Sequence, residues 1–127
     1  MKRAIADTSV FVAQEGGREL GELPEAIAVS VITAAELELA VLRARETETR
    51  ARRLATLSRV RGAYRLLPMD AQTASCFARI AAQELEAGRK LRRHDAWIAA
   101  CAMRHSAAVV TQDSDFSAFA SIEVIRV

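Results

Sequence analysis

Short apolar runs alternate with longer stretches of helical spacing along this chain. Runs of strand length fall at residues 3–6, 28–32, 65–68, 108–111 and 123–126. They are short and often β-branched, as strands buried on both faces tend to be. Between them lie helical patterns. The first, at 10–15, is brief. Residues 34–45 place Leu37, Val41 and Ala44 near helical spacing, and 46–60 continue with Leu54 and Leu57. Residues 71–87 carry Ala74, Phe77, Ala78, Ala81 and Leu85 along one expected inner face and close at Gly88. A last helix is predicted over 95–105, with the almost wholly apolar body 96–103. This alternation predicts an α/β domain with a mainly parallel sheet. In such sheets, sites lie beyond the carboxyl ends of the strands.

A length of 127 residues suits one domain, expected to span 1–127. Half the residues are apolar but only 5% are aromatic, so helices are expected to pack closely on alanine. The net charge of +2 says less than its distribution. Arg43, Arg45, Arg50, Arg52, Arg53, Arg59, Arg61 and Arg65 face only Glu46 and Glu48, and a second basic run is Arg89-Lys90-Leu91-Arg92-Arg93. Such patches either attract phosphates or are simply solvated helix faces. Cys76 and Cys101 sit in apolar helical patterns without metal-site or disulfide spacing, so both read as buried thiols. Only three apolar residues separate Met1-Lys2-Arg3 from Asp7, which is no signal-peptide pattern, and no apolar run approaches the roughly 18 residues of a membrane span. A reducing cytoplasm is the expected setting.

The acids change the picture most. Asp7 follows the first strand directly, Glu36 lies about one helical turn beyond the second, and Asp113 and Asp115 lie just past the strand ending at Thr111. Asp95 opens the apolar helix. A parallel sheet would bring the strand-end acids and Glu36 to one edge, where Asp95 joins them if its helix starts there. Each acid also has a purely structural role open to it. Asp7 or Asp95 would serve as a helix N-cap. Thr33-Ala34-Ala35-Glu36 matches a capping box. Asp113 or Asp115 would serve as a turn former.

The set argues for more than its members do. Several carboxylates at one edge repel one another and drive some to protonate unless a cation is present. Magnesium (Mg2+) and manganese (Mn2+) take oxygen ligands, and magnesium keeps several waters. A metal held there activates water and stabilises charge on a phosphodiester. Thr8, Ser9 and Thr111 stand where they can hydrogen-bond and orient the carboxylates. His94 and His105 are the only histidines and serve no serine or cysteine nucleophile motif, and no glycine-rich phosphate loop is present. Metal-dependent hydrolysis by carboxylates remains.

These residues resemble the PIN domain, and in particular the VapC-type toxins of bacterial toxin–antitoxin pairs. Ala6-Asp7-Thr8-Ser9-Val10 resembles the first family motif and Ser30-Val31-Ile32-Thr33-Ala34-Ala35-Glu36-Leu37 the second. His94-Asp95-Ala96-Trp97-Ile98-Ala99-Ala100 resembles the third and Val110-Thr111-Gln112-Asp113-Ser114-Asp115-Phe116 the fourth. All four fall in order, over nearly the whole chain. The resemblance implies a three-layer α/β/α PIN-like domain with a mainly parallel, roughly five-stranded central sheet. It implies a magnesium- or manganese-dependent endoribonuclease acting on tRNA, rRNA or mRNA, inhibited by a cognate VapB-type antitoxin and homodimeric. By position, Asp7 and Asp95 are the implied direct metal ligands, and Glu36 the third, direct or through water. Asp113 is favoured as the fourth, with Asp115 in support. The run Arg89, Lys90, Arg92 and Arg93 is then placed to guide RNA. The segment 43–65 is placed to contact RNA or antitoxin, or to form an apolar groove with Leu37, Val41, Leu54 and Leu57.

Other small α/β classes fit less well. A phosphoacceptor receiver needs a lysine after its last strands, and only Lys2 and Lys90 exist. An aspartyl phosphatase wants a second acid two residues after the first, where Ser9 stands. The alternative that survives is a PIN-like module that binds RNA or a partner without cutting.

Overall fold

A computed structural model of the chain describes residues 3–114, 116 and 119–127. Five strands and five helices follow the order β1 (Arg3–Ala6), α1 (Thr8–Glu15), β2 (Ala26–Ser30), α2 (Val31–Arg43), α3 (Thr47–Ala63), β3 (Leu66–Leu67), α4 (Ala71–Glu86), α5 (Arg93–Arg104), β4 (Ala108–Thr111) and β5 (Val124–Arg126). The strands form one sheet in the order β3-β2-β1-β4-β5, and every pairing is parallel. Ala4 to Ala6 therefore lie in register with Ala108 to Val110, so the carboxyl ends of β1 and β4 are neighbours.

Strand alternation sorts the core into layers. Ile5 and Val109 face one side, with Ile80 of α4 and the inner face of α5. Ala6 and Val29 face the other, with Phe11 of α1, Leu37 of α2, and Leu57 and Val60 of α3. The result is the expected α/β/α arrangement. Ala96, Ala99, Ala100 and Ala102 of α5 are wholly buried beside Ile98 and Cys101; small side chains let this helix lie against the strands. The fully buried Ile98 and Phe116 each stabilise the fold by about 1.5–3 kcal/mol.

Three expectations shift. The second strand runs Ala26–Ser30, not 28–32. The Ser30 hydroxyl accepts the Thr33 amide at 3.3 Å, which starts α2 at Val31 and overrides the strand preference of Val31 and Ile32. Glu36 thus sits in the second turn, and the Thr33–Glu36 capping box does not form. On α4 the inward face is Thr73, Ile80 and Glu84; Ala74 and Ala78 are exposed and Leu85 is 61% exposed. The Asp70 carboxylate accepts from both the Thr73 amide and hydroxyl at 2.8 Å, which fixes how the helix is turned. Finally, α5 starts at Arg93, not Asp95.

Candidate active site

Asp7 occupies the junction of β1 and α1. Its amide donates to the Val110 carbonyl at 2.8 Å, extending the parallel ladder one residue past β1. It stands at the N-cap position but makes no side-chain capping bond. Its carboxylate is instead held by two hydroxyls: Ser9 Oγ donates to Oδ2 at 2.7 Å and Thr111 Oγ1 at 2.9 Å. The same hydroxyls accept backbone amides. Gln112 N–H donates to Ser9 Oγ at 3.0 Å, and Asp113 N–H to Thr111 Oγ1 at 2.9 Å. Thr111 is fully buried and Asp7 nearly so. One polar network, satisfied at every hydroxyl, therefore joins the end of β1 to the loop after β4, where Asp113 begins. Burial pushes the Asp7 carboxyl up, against the pull of the Ser9 and Thr111 hydroxyls.

Glu36 reaches the same edge from α2. Thr8 Oγ1 donates to its Oε1 at 2.7 Å and lies 3.0 Å from Thr33 Oγ1. His94 Nδ1 stands 3.3 Å from Glu36 Oε2. Asp95, the third residue of α5, accepts a hydrogen bond from Arg92 Nη1 at 3.1 Å. Its carboxyl is pushed up to about 6, first by burial and then by the Asp7 charge. Arg92 works against this, and Asp113 and Glu36 add to the rise. Asp7, Glu36 and Asp113 thus all act on Asp95 at the carboxyl edge. Asp115 lies outside the described residues. Sequence reasoning missed Thr33 and the His94–Glu36 contact; the one signal for the latter was the adjacency of His94 to Asp95.

The donor set is four hard oxygen acids, which suits magnesium or manganese. Among the described residues, no group of three or more His, Cys, Asp or Glu forms a ready-made ion cage. The arrangement fits an ion that keeps much of its water and takes few direct carboxylates.

The basic run divides. Gly88, at φ +74°, turns the end of α4 so that Arg89 N–H reaches the Glu84 carbonyl at 3.0 Å. The Arg89 guanidinium then grips the buried Glu84 carboxylate at 2.9 and 2.5 Å. Arg89 stays exposed while so paired. Arg92 is held between Asp95 and the Phe119 ring, 5.5 Å from its centroid. Lys90 and Arg93 are exposed. Of the four residues expected to form a groove, Leu37 lines one of about 600 Å³ beside Glu36, together with Val12, Leu39, Ala40, Arg43, Arg53 and His94, while Leu57 belongs to the core with Val41 packed against it.

A parallel α/β/α domain with acids from β1, α2, α5 and the loop after β4 on its carboxyl edge defines a class, and comparison with known proteins agrees. The PIN domain family matches residues 4–122; the chain belongs to the PIN-domain family. It is 46% identical to Ribonuclease VapC5 of Mycobacterium tuberculosis (strain ATCC 25618 / H37Rv) over 128 aligned residues, covering 97% of this chain and 94% of that protein. Ribonuclease VapC4 of the same strain is 36% identical, covering 100% and 98%. A chain in the crystal structure of VapBC-5, a member of the VapBC family of toxin–antitoxin systems from Mycobacterium tuberculosis, superposes with a TM-score of 0.91 at 42% identity, covering 100% of both chains.

Proposed function

We propose that this chain is a divalent-metal-dependent endoribonuclease, the toxin of a toxin–antitoxin pair, held inactive by a VapB-type antitoxin and working in the cytoplasm as a homodimer. The observation that carries the reading is the convergence of Asp7, Glu36 and Asp113 on Asp95 at one sheet edge, where each of the three adds to the charge that Asp95 feels. Among the described residues no helix is long and apolar enough to cross a membrane.

In this reading Asp7 and Asp95 would hold a magnesium or manganese ion, with Glu36 and Asp113 contributing directly or through water. When bound, the ion supplies Lewis-acid stabilisation of charge on the scissile phosphodiester and lowers the pKa of water. The protein's own groups do the rest. Ser9 and Thr111 keep the Asp7 carboxylate in one orientation, and Thr8 does the same for Glu36. Glu36 or Asp113 takes a proton from the attacking water. Water adds to phosphorus, the bond to the 3′ oxygen breaks, that oxygen takes a proton from solvent, and the products carry a 5′-phosphate and a 3′-hydroxyl. Lys90 and Arg93 attract the RNA backbone. The apolar and arginine-lined groove beside Glu36 suits an amphipathic antitoxin segment, which would then lie next to the acids it silences.

Cleavage of a mixed RNA pool, followed by sequencing of the new ends, tests the proposal. Wild type should cut with magnesium or manganese and stop in chelator; Asp7→Asn and Asp95→Asn should fold but not cut. RNA binding without cleavage in any divalent ion would refute it and leave an RNA-binding module.

A further inference from the structure

The opposite edge of the sheet carries a second cluster of charge, of the other sign. Arg3 opens β1, in register with Ala26. Arg65 immediately precedes β3, its carbonyl accepting the Val29 amide at 3.0 Å. His105 closes α5. All three line one cavity of about 200 Å³, with Ile27, Ala28 and Ala107 in its walls. The four residues of β1 separate it from the acid edge by about 13 Å at about 3.3 Å per residue.

Among the described residues no carboxylate lines this cavity. Among the described residues the Arg3 and Arg65 side chains have no hydrogen-bond or ion-pair partner. Asp70, the carboxylate whose charge His105 feels, is committed elsewhere: it accepts from Thr73 and pairs with Arg104 at 3.7 Å. The His105 pKa lies below its ordinary value, through burial first and then Arg104, with Arg65 and Arg3 adding to the fall and Asp70 opposing it. Two guanidiniums lining one small hollow with apolar walls suit an oxyanion, which arginine binds in bidentate fashion. The volume is below the roughly 300–1,000 Å³ of sites for drug-sized ligands, so the cavity takes the end of a ligand rather than the whole of one.

We propose that this cavity at the amino edge of the sheet binds a phosphate group, with Arg3 and Arg65 as its ligands. The site uses neither the acid edge nor a metal, so it stands or falls apart from the nuclease reading. The phosphate belongs either to a small molecule or to the 5′ end of an RNA, and the two are separable.

The test is an NMR titration of the 15N-labelled full chain in chelator. Its probes are inorganic phosphate, adenosine 5′-monophosphate, and a short RNA with either a 5′-phosphate or a 5′-hydroxyl. Saturable shifts of the Arg3, Arg65 and Ala107 amides are expected with phosphate. Affinity should fall at least tenfold in Arg3→Gln/Arg65→Gln and stay unchanged in the charge-matched control Arg18→Gln/Arg79→Gln. Tighter binding of the mononucleotide than of phosphate supports the site with a small-molecule source. A response to the 5′-phosphorylated RNA but not to the mononucleotide or the 5′-hydroxyl RNA supports it with an RNA end. No saturable shift with any phosphate, or the same shifts in the Arg3/Arg65 double variant, overturns the proposal. Both arginines are exposed and unpaired among the described residues, so the variants should fold; an unchanged amide spectrum elsewhere checks it.

Discussion

Asp95→Asn should make the metal-free protein more stable while abolishing its activity. The Asp95 carboxyl moves from 3.8 to about 6 on folding, through burial and the charges of Asp7, Asp113 and Glu36. A group whose folded pKa exceeds its unfolded one binds its proton more tightly in the folded state. The native state is therefore penalised as pH rises from about 4 to about 6, and the penalty is complete above that. The shift is equivalent to about 3 kcal/mol. The side chain is 24% exposed, which screens part of that figure; the opposing Arg92 charge is already counted in it. About 2 kcal/mol of net stabilisation at neutral pH remains, or about 7 °C in melting temperature for a chain of this size. Thermal and urea unfolding in chelator, from pH 4 to 8, checks it. The variant's advantage should be full near pH 7.5 and vanish near pH 4. Saturating magnesium should raise the wild type and not the variant. A variant no more stable than wild type at pH 7.5 in chelator, or equally advantaged at pH 4, would show that the acids do not share one field.

Other perturbations probe separate parts. Thr111→Val leaves both the Asp7 carboxylate and the Asp113 amide without their shared hydroxyl; urea melts should show a loss of about 1–3 kcal/mol, and RNA cleavage should slow. Arg89→Met strands the buried Glu84 carboxylate and should lower the melting temperature, whereas Glu84→Met/Arg89→Met recovers part of it with cleavage little changed. Lys90→Gln/Arg93→Gln should weaken RNA binding and reduce the slope of log affinity against log salt by about 1.4, at about 0.7 per contact on a single strand; an unchanged slope would place the RNA elsewhere.

How much of this was legible in the sequence depends on which physical signal ruled each segment. β1 and β4 fall where expected because three or four apolar residues end abruptly in Asp7 or run out past Thr111. The β2–α2 junction was misread because Val31 and Ile32 favour strands, while a single hydroxyl, that of Ser30, decides where the helix begins. The α4 face was misread because alanine tolerates either side of a helix. What turns α4 is a carboxylate cap at Asp70 and the Glu84–Arg89 pair, neither of which a hydrophobic pattern encodes. The four acids were visible because each follows a strand or opens a buried helix. The Arg92 and His94 contacts were not, since they depend on side-chain reach across elements. The cavity at Arg3 and Arg65 was invisible for a related reason: its two arginines are 62 positions apart and meet only through the register of β1, β2 and β3.

The bond between Thr111 and Asp7 spans 104 positions, nearly the length of the chain. A ribosome making this protein releases the first acid 104 residues before the hydroxyl that steadies it. A nascent chain, or one cut short before β4, therefore has every acid but Asp113 and no assembled edge. The edge appears only once β4 has joined β1, so a growing polypeptide lacks it beside the ribosome that is making it.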